Sequence, residues 1–324
     1  MQAIDKKSIR IRPYVEEDHD QVIQMLLQGF TTIDYPIFRR KAKQTSTLLS
    51  ILFKSIIYTS LIELALVAYS SSSTSPSSFT GTSQEYLRSF SEMFTKPESA
   101  QSLILQFLQP SFLVVWALVS LTVAATTLVQ TYQWALASNA EYVEGCFKDD
   151  LGDIQGYYQS QVSTNGKENR SQYWVACLDS HPQLVMGCIS LDDNYGHTEH
   201  LRKKHLAQGG TDETFTAPKE ADAELRRLSV HINYRRLGIS TMLMDKLVEH
   251  AKENGFRRVV FSTTYFQKAA LHGYIRYGFE KEKTAQYGDI VKLWFGAMNL
   301  YAGEEEKEEQ RKKQDAMLQD IESY

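Results

Sequence analysis

Residues 223–256 read AELRRLSVHINYRRLGISTMLMDKLVEHAKENGF and divide into a strand, a turn and an amphipathic helix. In the helical part Ile239, Leu243, Leu247 and Ala251 recur every fourth residue, polar side chains fill the other face, and Asn254-Gly255 supplies a stop. The turn Arg235-Arg236-Leu237-Gly238-Ile239-Ser240 therefore lies at a helix N-terminus. Free backbone N–H groups and the positive end of the helix dipole gather there, Gly238 admits a close backbone approach, and Arg235 or Arg236 adds charge-assisted bonds. That combination makes an anion site, for which pyrophosphate is a natural ligand. In the strand Glu224–Val230 the apolar positions are 225, 228 and 230, so the alternation changes phase between Leu225 and Leu228. A β-bulge there accounts for the change and turns backbone groups toward a cleft.

Outward from this segment, RVVFSTT (Arg258–Thr264) predicts the next strand, followed by QKAALHGYIRYGF at residues 267–279. Toward the N-terminus, YWVACL (Tyr173–Leu178) and VMGCISL (Val185–Leu191) predict a β-hairpin about the turn-like DSHPQ. At the start of the chain Ile9 and Ile11 alternate with Arg10 and Arg12 as in a half-buried strand that Pro13 ends. Asp18 is placed to cap the following helix, whose Val22, Ile23, Leu26, Leu27 and Phe30 form one stripe. The polar stretch Asp192–Ala221 predicts a long loop or insert, and the charge run from Glu304 a solvated helix or disordered end.

Two stretches are of another kind. Thr47–Tyr69 is mostly apolar and as a helix would span about 34 Å. Phe107–Val129 contains no charged residue at all. Both have membrane length, although Lys54 and Glu63 weaken the first, because a charge at the bilayer centre costs about 2.5–3.5 kcal/mol on insertion scales. Lys54 is able to snorkel, whereas Glu63 needs a partner or water. The basic Arg39, Arg40, Lys41 and Lys43 precede the first stretch and predict a cytosolic N-terminus, and two spans return the rest of the chain to the cytosol. The Ser/Thr-rich residues 69–83 between the stretches read as a loop on the far side.

A formal net charge of -4 excludes a chain-wide footprint for nucleic acid. Three cysteines, Cys146, Cys177 and Cys188, lack CxxC spacing and leave neither a disulfide framework nor a zinc site to expect, which suits a reducing, cytosol-facing domain. The first residues, MQAIDKKSIRIRPY, lack the apolar run of a secretory signal. His197, His200 and His205 fall in the polar insert and read as a solvated loop rather than a metal cluster. Arg202, Lys203 and Lys204 beside them either attract an acidic substrate or keep the insert soluble.

The turn at 235–240 resembles the acetyl-CoA loop of the GNAT superfamily of acetyltransferases, Q/R-x-x-G-x-G/A, matching at Arg235 and Gly238 with Ser240 for the last small residue. Residues 267–279 are similar to that family's N-x-x-A-x-x-L-Y-x-x-x-G-F element: Ala270, Tyr274, Gly278 and Phe279 are in register, while Gln267 stands for Asn and Gly273 for Leu. The start IRPYVEEDHDQVIQML, the hydrophobic hairpin directly after the first helix, YWVA and RRLGIS resemble the membrane-bound camello-like branch, which includes aspartate and cysteine-conjugate N-acetyltransferases. The Ser-rich loop and the insert at 192–221 look longer than that branch needs. The resemblance implies acetyl-CoA as co-substrate, held by the amides of Leu228, Ser229 and Val230, by the loop Arg235, Arg236, Leu237, Gly238, Ile239 and Ser240, and by Gln267 and Ala270. It also implies Glu224 as general base, Tyr274 as proton donor to the departing thiolate, no metal, and an endoplasmic reticulum membrane.

The expectation is thus a mixed α/β sheet of the GNAT fold interrupted by a transmembrane helical hairpin: first strand and helix at 1–45, hairpin at 46–130, main catalytic domain at 131–301 and charged tail at 302–324. The expected partners are the lipid bilayer and a primary amine, first an amino acid or amino-acid conjugate. Protein lysine acetylation and a non-catalytic CoA-binding membrane module remain as alternatives, and the oligomeric state stays open.

Overall fold

The computed structural model describes residues 6–73, 110–160, 166, 168–207 and 209–324. In chain order these form β1 (Ile9–Pro13), α1 (His19–Thr31), α2 (Asp34–Ala42), α3 (Thr45–Ser73), α4 (Pro110–Cys146), α5 (Ile154–Gln159), β2 (Gln172–Leu178), β3 (Gly187–Asp192) and α6 (Thr198–Ala207). Then follow β4 (Asp222–Val230), α7 (Ile239–Glu253), β5 (Arg258–Thr264), α8 (Lys268–Tyr277), β6 (Glu280–Tyr287), β7 (Val291–Asn299) and α9 (Glu304–Ser323). The chain divides into two compact units, one of Met1–Ile37 with Leu136–Tyr324 and the other of Phe38–Ala135.

The first unit is a seven-stranded sheet in the order β1-β2-β3-β4-β5-β7-β6. Its neighbours are antiparallel except for β4 and β5, which α7 connects as a parallel pair. Side chains leave alternate faces of a strand, so β2 feeds two cores at once: Trp174 and Ala176 pack with the α7 side chains Ile239, Leu243, Leu247 and Ala251, while Tyr173 and Val175 pack with Val22, Met25, Leu26 and Phe30 of α1. At Gly187 of β3 a Cβ would stand 3.0 Å from Ile239 Cγ2, so a side chain there would push α7 off the sheet.

Several elements differ from the sequence reading. Asp18 stands at the head of α1, but its carboxylate bonds the Arg12 guanidinium at 2.6 and 2.7 Å and the Val15 N–H at 3.0 Å instead of capping α1. The insert is not only loop: it contains α6, anchored by His200 and Lys204 on Asp149, each at 2.8 Å. The tail is a packed helix rather than a solvated one. Ile321 of α9 is fully buried, Met317 and Leu318 pack on the core, the Tyr265 hydroxyl donates to Asp320 at 2.9 Å and the Tyr324 hydroxyl to the Ile290 carbonyl at 2.8 Å. Strand β6 escaped the sequence reading because EKEKTAQY alternates charge rather than apolar residues, a pattern that blunts a sheet edge, and its apolar partner β7, VKLWFGAMN, went unassigned with it.

The second unit contains α3 and the first part of α4, both long and apolar enough to cross a membrane by length and composition. Its burial runs inside out. Leu52, Phe53, Ile56, Leu118 and Leu121 are exposed, whereas Ser55, Thr59, Thr127 and Thr131 are buried. Ser55, Thr59 and Thr131 satisfy their hydroxyls on the carbonyl four residues earlier, at 2.7–2.8 Å. Phe38 meets Tyr132 edge-on at 5.6 Å and Lys41 lies over the Trp134 ring at 5.3 Å, so the basic start of the hairpin and an aromatic stretch of α4 share one end of this unit. The carboxylate of Glu63, residues 74–83 of the Ser-rich loop and residues 107–109 of the second stretch lie outside the described residues.

Truncating Ile321 to alanine removes a fully buried side chain and should cost about 2–5 kcal/mol of stability. The thermal midpoint of the purified protein should drop accordingly; an unchanged midpoint would mean that α9 is not part of the core.

Candidate active site

The pairing of β4 with β5 covers only Asp222, Ala223 and Glu224, opposite Arg258, Val259 and Val260. Beyond Glu224 the two parallel strands pair no further, although β4 continues to Val230 and β5 to Thr264. On its other edge β4 stays with β3, and there the register slips: Cys188 opposes Ser229 but Ser190 opposes Arg226, which leaves one extra residue on β4. The bulge thus falls where the alternation of apolar residues breaks. It centres on Arg227, which adopts φ 57°, a left-handed conformation costing a non-glycine residue about 1–2 kcal/mol.

The bulge rearranges the backbone groups. The Ser190 hydroxyl donates to the Arg226 carbonyl at 3.1 Å and the Cys188 thiol to the Arg227 carbonyl at 3.2 Å, so two consecutive carbonyls bond β3 side chains. A trans peptide directs the following N–H opposite to its carbonyl. The N–H groups of Arg227 and Leu228 therefore both point away from those side chains, as a pair of adjacent donors.

Two buried ion pairs flank this backbone. Arg227 forms a bidentate pair with Asp150, through Nε to Oδ2 at 2.9 Å and through Nη2 to Oδ1, and its Nη1 lies 3.1 Å from Cys146 Sγ. Arg226 bonds Asp192 at 2.7 Å and also Asp149, which receives His200 and Lys204 from α6. The Asp150 and Asp192 side chains are wholly inaccessible. Removing one partner of such a pair leaves an unpaired buried charge and costs about 3–5 kcal/mol. The acidic doublet sits on the π-turn Phe147–Leu151 that ends α4, and the basic doublet on β4. Each was visible in the sequence, but nothing in their separation announced that they meet.

Glu224 lies at the last paired position, opposite Val260 and across from Asp192. Burial raises its pKa; Arg226 pulls it down, Asp192 pushes it up, the Asn194 amide bond pulls it down, and the balance stays above the ordinary glutamate value. Asn194 Nδ2 donates to Glu224 Oε2 at 2.9 Å. Tyr274 packs its ring 4.1 Å from Phe261, the residue after Val260, so both candidate proton-transfer groups are tied to adjacent residues of β5. Desolvation alone raises the Tyr274 pKa, keeping the phenol protonated at neutral pH.

At the far end of β4, Gly238 is the N-cap of α7 with φ 82°, a conformation that glycine adopts without penalty. Arg235 and Arg236 are exposed beside it, Arg236 with φ 65°, and Arg235 Nε donates to the Val230 carbonyl at 3.2 Å. Leu237 packs on the core and Ile239 is buried, which fixes the loop while leaving the first N–H groups of α7 without helical partners. Lys6 adds a cation that the sequence reading missed, its Nζ 4.0 Å from where a Cβ on residue 238 would stand. The structure thus groups Leu228, Ser229, Val230 and the loop 235–240 along one strand and the helix it feeds. Gln267 heads α8, but its side-chain oxygen accepts from Thr263 at 2.5 Å, and Ala270 packs against the core. The three insert histidines have separate surroundings: His197 is buried against Tyr157, His200 bonds Asp149 and His205 bonds Thr214.

Residues 128–279 match the model of the acetyltransferase (GNAT) family. This chain carries a GNAT acetyltransferase domain. Among curated relatives, the acetyltransferase named N-acetyltransferase family 8 member 3 of Rattus norvegicus is 28% identical over 180 residues, covering 55% of this chain and 65% of its own. N-acetylaspartate synthetase of Xenopus tropicalis is 29% identical over 139 residues, covering 43% and 39%. The Xenopus tropicalis protein named probable N-acetyltransferase camello is 39% identical over 74 residues, covering 22% and 34%. The chain therefore spans between about a third and two thirds of the length of these relatives. The acetyltransferase domain matches the camello-like branch to which the sequence motifs pointed.

Because Asn194 stabilises the Glu224 carboxylate, Asn194→Leu should raise the Glu224 pKa further. If Glu224 acts in its ionised form, the acidic limb of the pH–rate profile moves to higher pH in this variant. A limb that stays in place or moves down contradicts the coupling.

Proposed function

We propose that this protein is a membrane-anchored N-acetyltransferase that moves acetyl from acetyl-CoA to the primary amine of an amino acid or amino-acid conjugate at the cytosolic face of the endoplasmic reticulum. The observation that carries the reading is the parting of β4 from β5 directly after Glu224, with a bulge on β4 and the N-terminus of α7 at its end. An acyl-CoA needs those three features in that order: amide donors for the thioester carbonyl, a strand edge for the pantetheine arm and an anion site for the pyrophosphate.

In this reading Arg235, Arg236, Lys6 and the free N–H groups of α7 receive the pyrophosphate, and the unpaired edge at Leu228, Ser229 and Val230 receives the arm. Gln267 and Ala270 line the start of α8 beside it. Glu224 accepts a proton from the incoming ammonium, directly or through water; the neutral amine attacks the thioester carbon, and the carbonyl oxygen gathers negative charge toward the bulge amides. As the carbon–sulfur bond breaks, the protonated Tyr274 gives its proton to the thiolate, and the second proton of the acylated nitrogen returns through water to the tyrosinate, leaving a neutral amide. An acceptor small enough to pass the β3–β4 insert is favoured over a lysine on a folded protein, because that insert reaches the base itself through Asn194. The relative named N-acetylaspartate synthetase supports an amino-acid acceptor.

The anchor is the hairpin. Exposed leucine, isoleucine and phenylalanine around buried hydroxyls suit hydrocarbon as solvent, and an apolar run of about 20 residues from Leu113 suffices to span a bilayer. Lys41 over Trp134 supports a cytosolic interface at that end of the hairpin. Glycosylation acceptors engineered at Ser77 and at the C-terminus should then be modified and unmodified respectively, and modification of the C-terminal one overturns the topology.

Charge reversal of the phosphate loop tests the binding. Arg235→Glu combined with Arg236→Glu should abolish acetyl-CoA binding in calorimetry of the detergent-purified protein, whereas unchanged affinity removes the assignment. Glu224→Gln tests the chemistry against a panel of amino acids, S-conjugates, polyamines and peptides. Turnover, read as thiol release, should fall by about 10²–10⁴ with acetyl-CoA affinity near wild type, and the deficit should shrink as rising pH deprotonates the amine in solution. Near-full activity at neutral pH would assign the base elsewhere.

A further inference from the structure

The geometry points to Asp150 as a positioning residue that aims the amides of Arg227 and Leu228 at the thioester carbonyl of the bound acyl-CoA. This inference rests on the acyltransferase reading and adds to it the origin of the carbonyl-binding donors.

Arg227 is one of two described residues other than glycine with positive φ, and it sits in the middle of a strand rather than at a turn. A left-handed residue persists in a strand only where its surroundings over-determine it. Here it is held from both ends. Its guanidinium is gripped in bidentate fashion by Asp150, a carboxylate with no accessible side-chain surface, and its carbonyl accepts from the Cys188 thiol at 3.2 Å. The other plane is held separately: the Ser190 hydroxyl donates to the Arg226 carbonyl at 3.1 Å. Behind Ser190, 3.2 Å away, stands the Tyr158 oxygen, which gives its own proton to Asp150 Oδ2 at 2.5 Å. Asp150 therefore acts on the bulge through Arg227, and Ser190 fixes the neighbouring peptide plane. With the two carbonyls fixed, planarity of the peptide fixes the two following N–H groups. Two adjacent donors held this way are preorganised for an oxygen that gains charge.

Stability alone would be served as well by an apolar pair, since replacing a buried ion pair by hydrophobic residues of similar volume is often neutral or stabilising. That separates a positioning role from a structural one. CoA lacks the carbonyl that acetyl-CoA presents, so the ratio of their dissociation constants reports the bulge amides without needing an acceptor. Calorimetry on the full-length protein in detergent should give the wild type an acetyl-CoA preference of about fivefold, the worth of a net hydrogen bond. Arg227→Lys, which keeps the charge but loses the fork, and the double variant Asp150→Leu/Arg227→Met should both lose most of that preference with CoA affinity unchanged. The thermal midpoint of the double variant should stay near wild type. A preference retained in either folded variant, or absent from the wild type, overturns the inference. Failure of the wild type to bind either ligand would instead overturn the acyltransferase reading on which it rests.

Discussion

Everything about this site depends on one departure from regular pairing, the separation of β4 from β5 after Glu224 and Val260. Two parallel strands joined by a helix ordinarily stay hydrogen-bonded along their shared length, because each unpaired backbone group inside a sheet gives up a hydrogen bond. Here β4 keeps its bonds to β3, takes in an extra residue, and leaves its other edge unpaired from Leu225 onward. The cost is concentrated at Arg227 and offset by Asp150, Cys188 and Ser190, so the irregularity is one defined conformation. The candidate base at the fork, the bulge and the anion site at the end of the strand then follow in sequence order from Glu224 to Ser240.

Helix α4 begins in an apolar run, continues through Trp134 and Tyr142, and ends in the π-turn whose Asp149 and Asp150 bind Arg226 and Arg227. Its polar end carries Glu141 and Glu144, the latter paired at 2.5 Å with Lys148 of the π-turn, so the helix changes character along its length. The insert between β3 and β4 bonds one of these carboxylates and the candidate base, His200 and Lys204 on Asp149 and Asn194 on Glu224. The β3–β4 insert is thus in contact with the candidate base.

The parts of this structure with a strong local signature were legible in the sequence. The i+4 repeat of Ile239, Leu243, Leu247 and Ala251 marked the helix and hence the anion site at Gly238, and the broken alternation between Leu225 and Leu228 marked the bulge. Less legible was whatever depends on long-range pairing. Nothing local says that Asp149-Asp150 meets Arg226-Arg227 or that Asn194 reaches Glu224. Charge misled twice: α9 looked solvated because its few apolar residues, Met317, Leu318 and Ile321, are diluted by Lys and Glu, and β6 looked like no strand because its alternation is of charge. Asp18 looked like a helix cap because its position is right, but Arg12 offers the carboxylate two charge-assisted bonds in place of one backbone donor.

In the proposed acyltransferase the unpaired edge of β4 and the N-terminus of α7 together receive an acyl-CoA. Amide hydrogen exchange on the full-length protein, with and without saturating acetyl-CoA, tests this most directly, because it reads individual backbone donors. The ligand should slow exchange in two separated stretches, residues 227–230 and 238–241, with little change in the already paired amides of β3. Protection elsewhere in the sheet with both stretches unaffected would contradict this mode of binding.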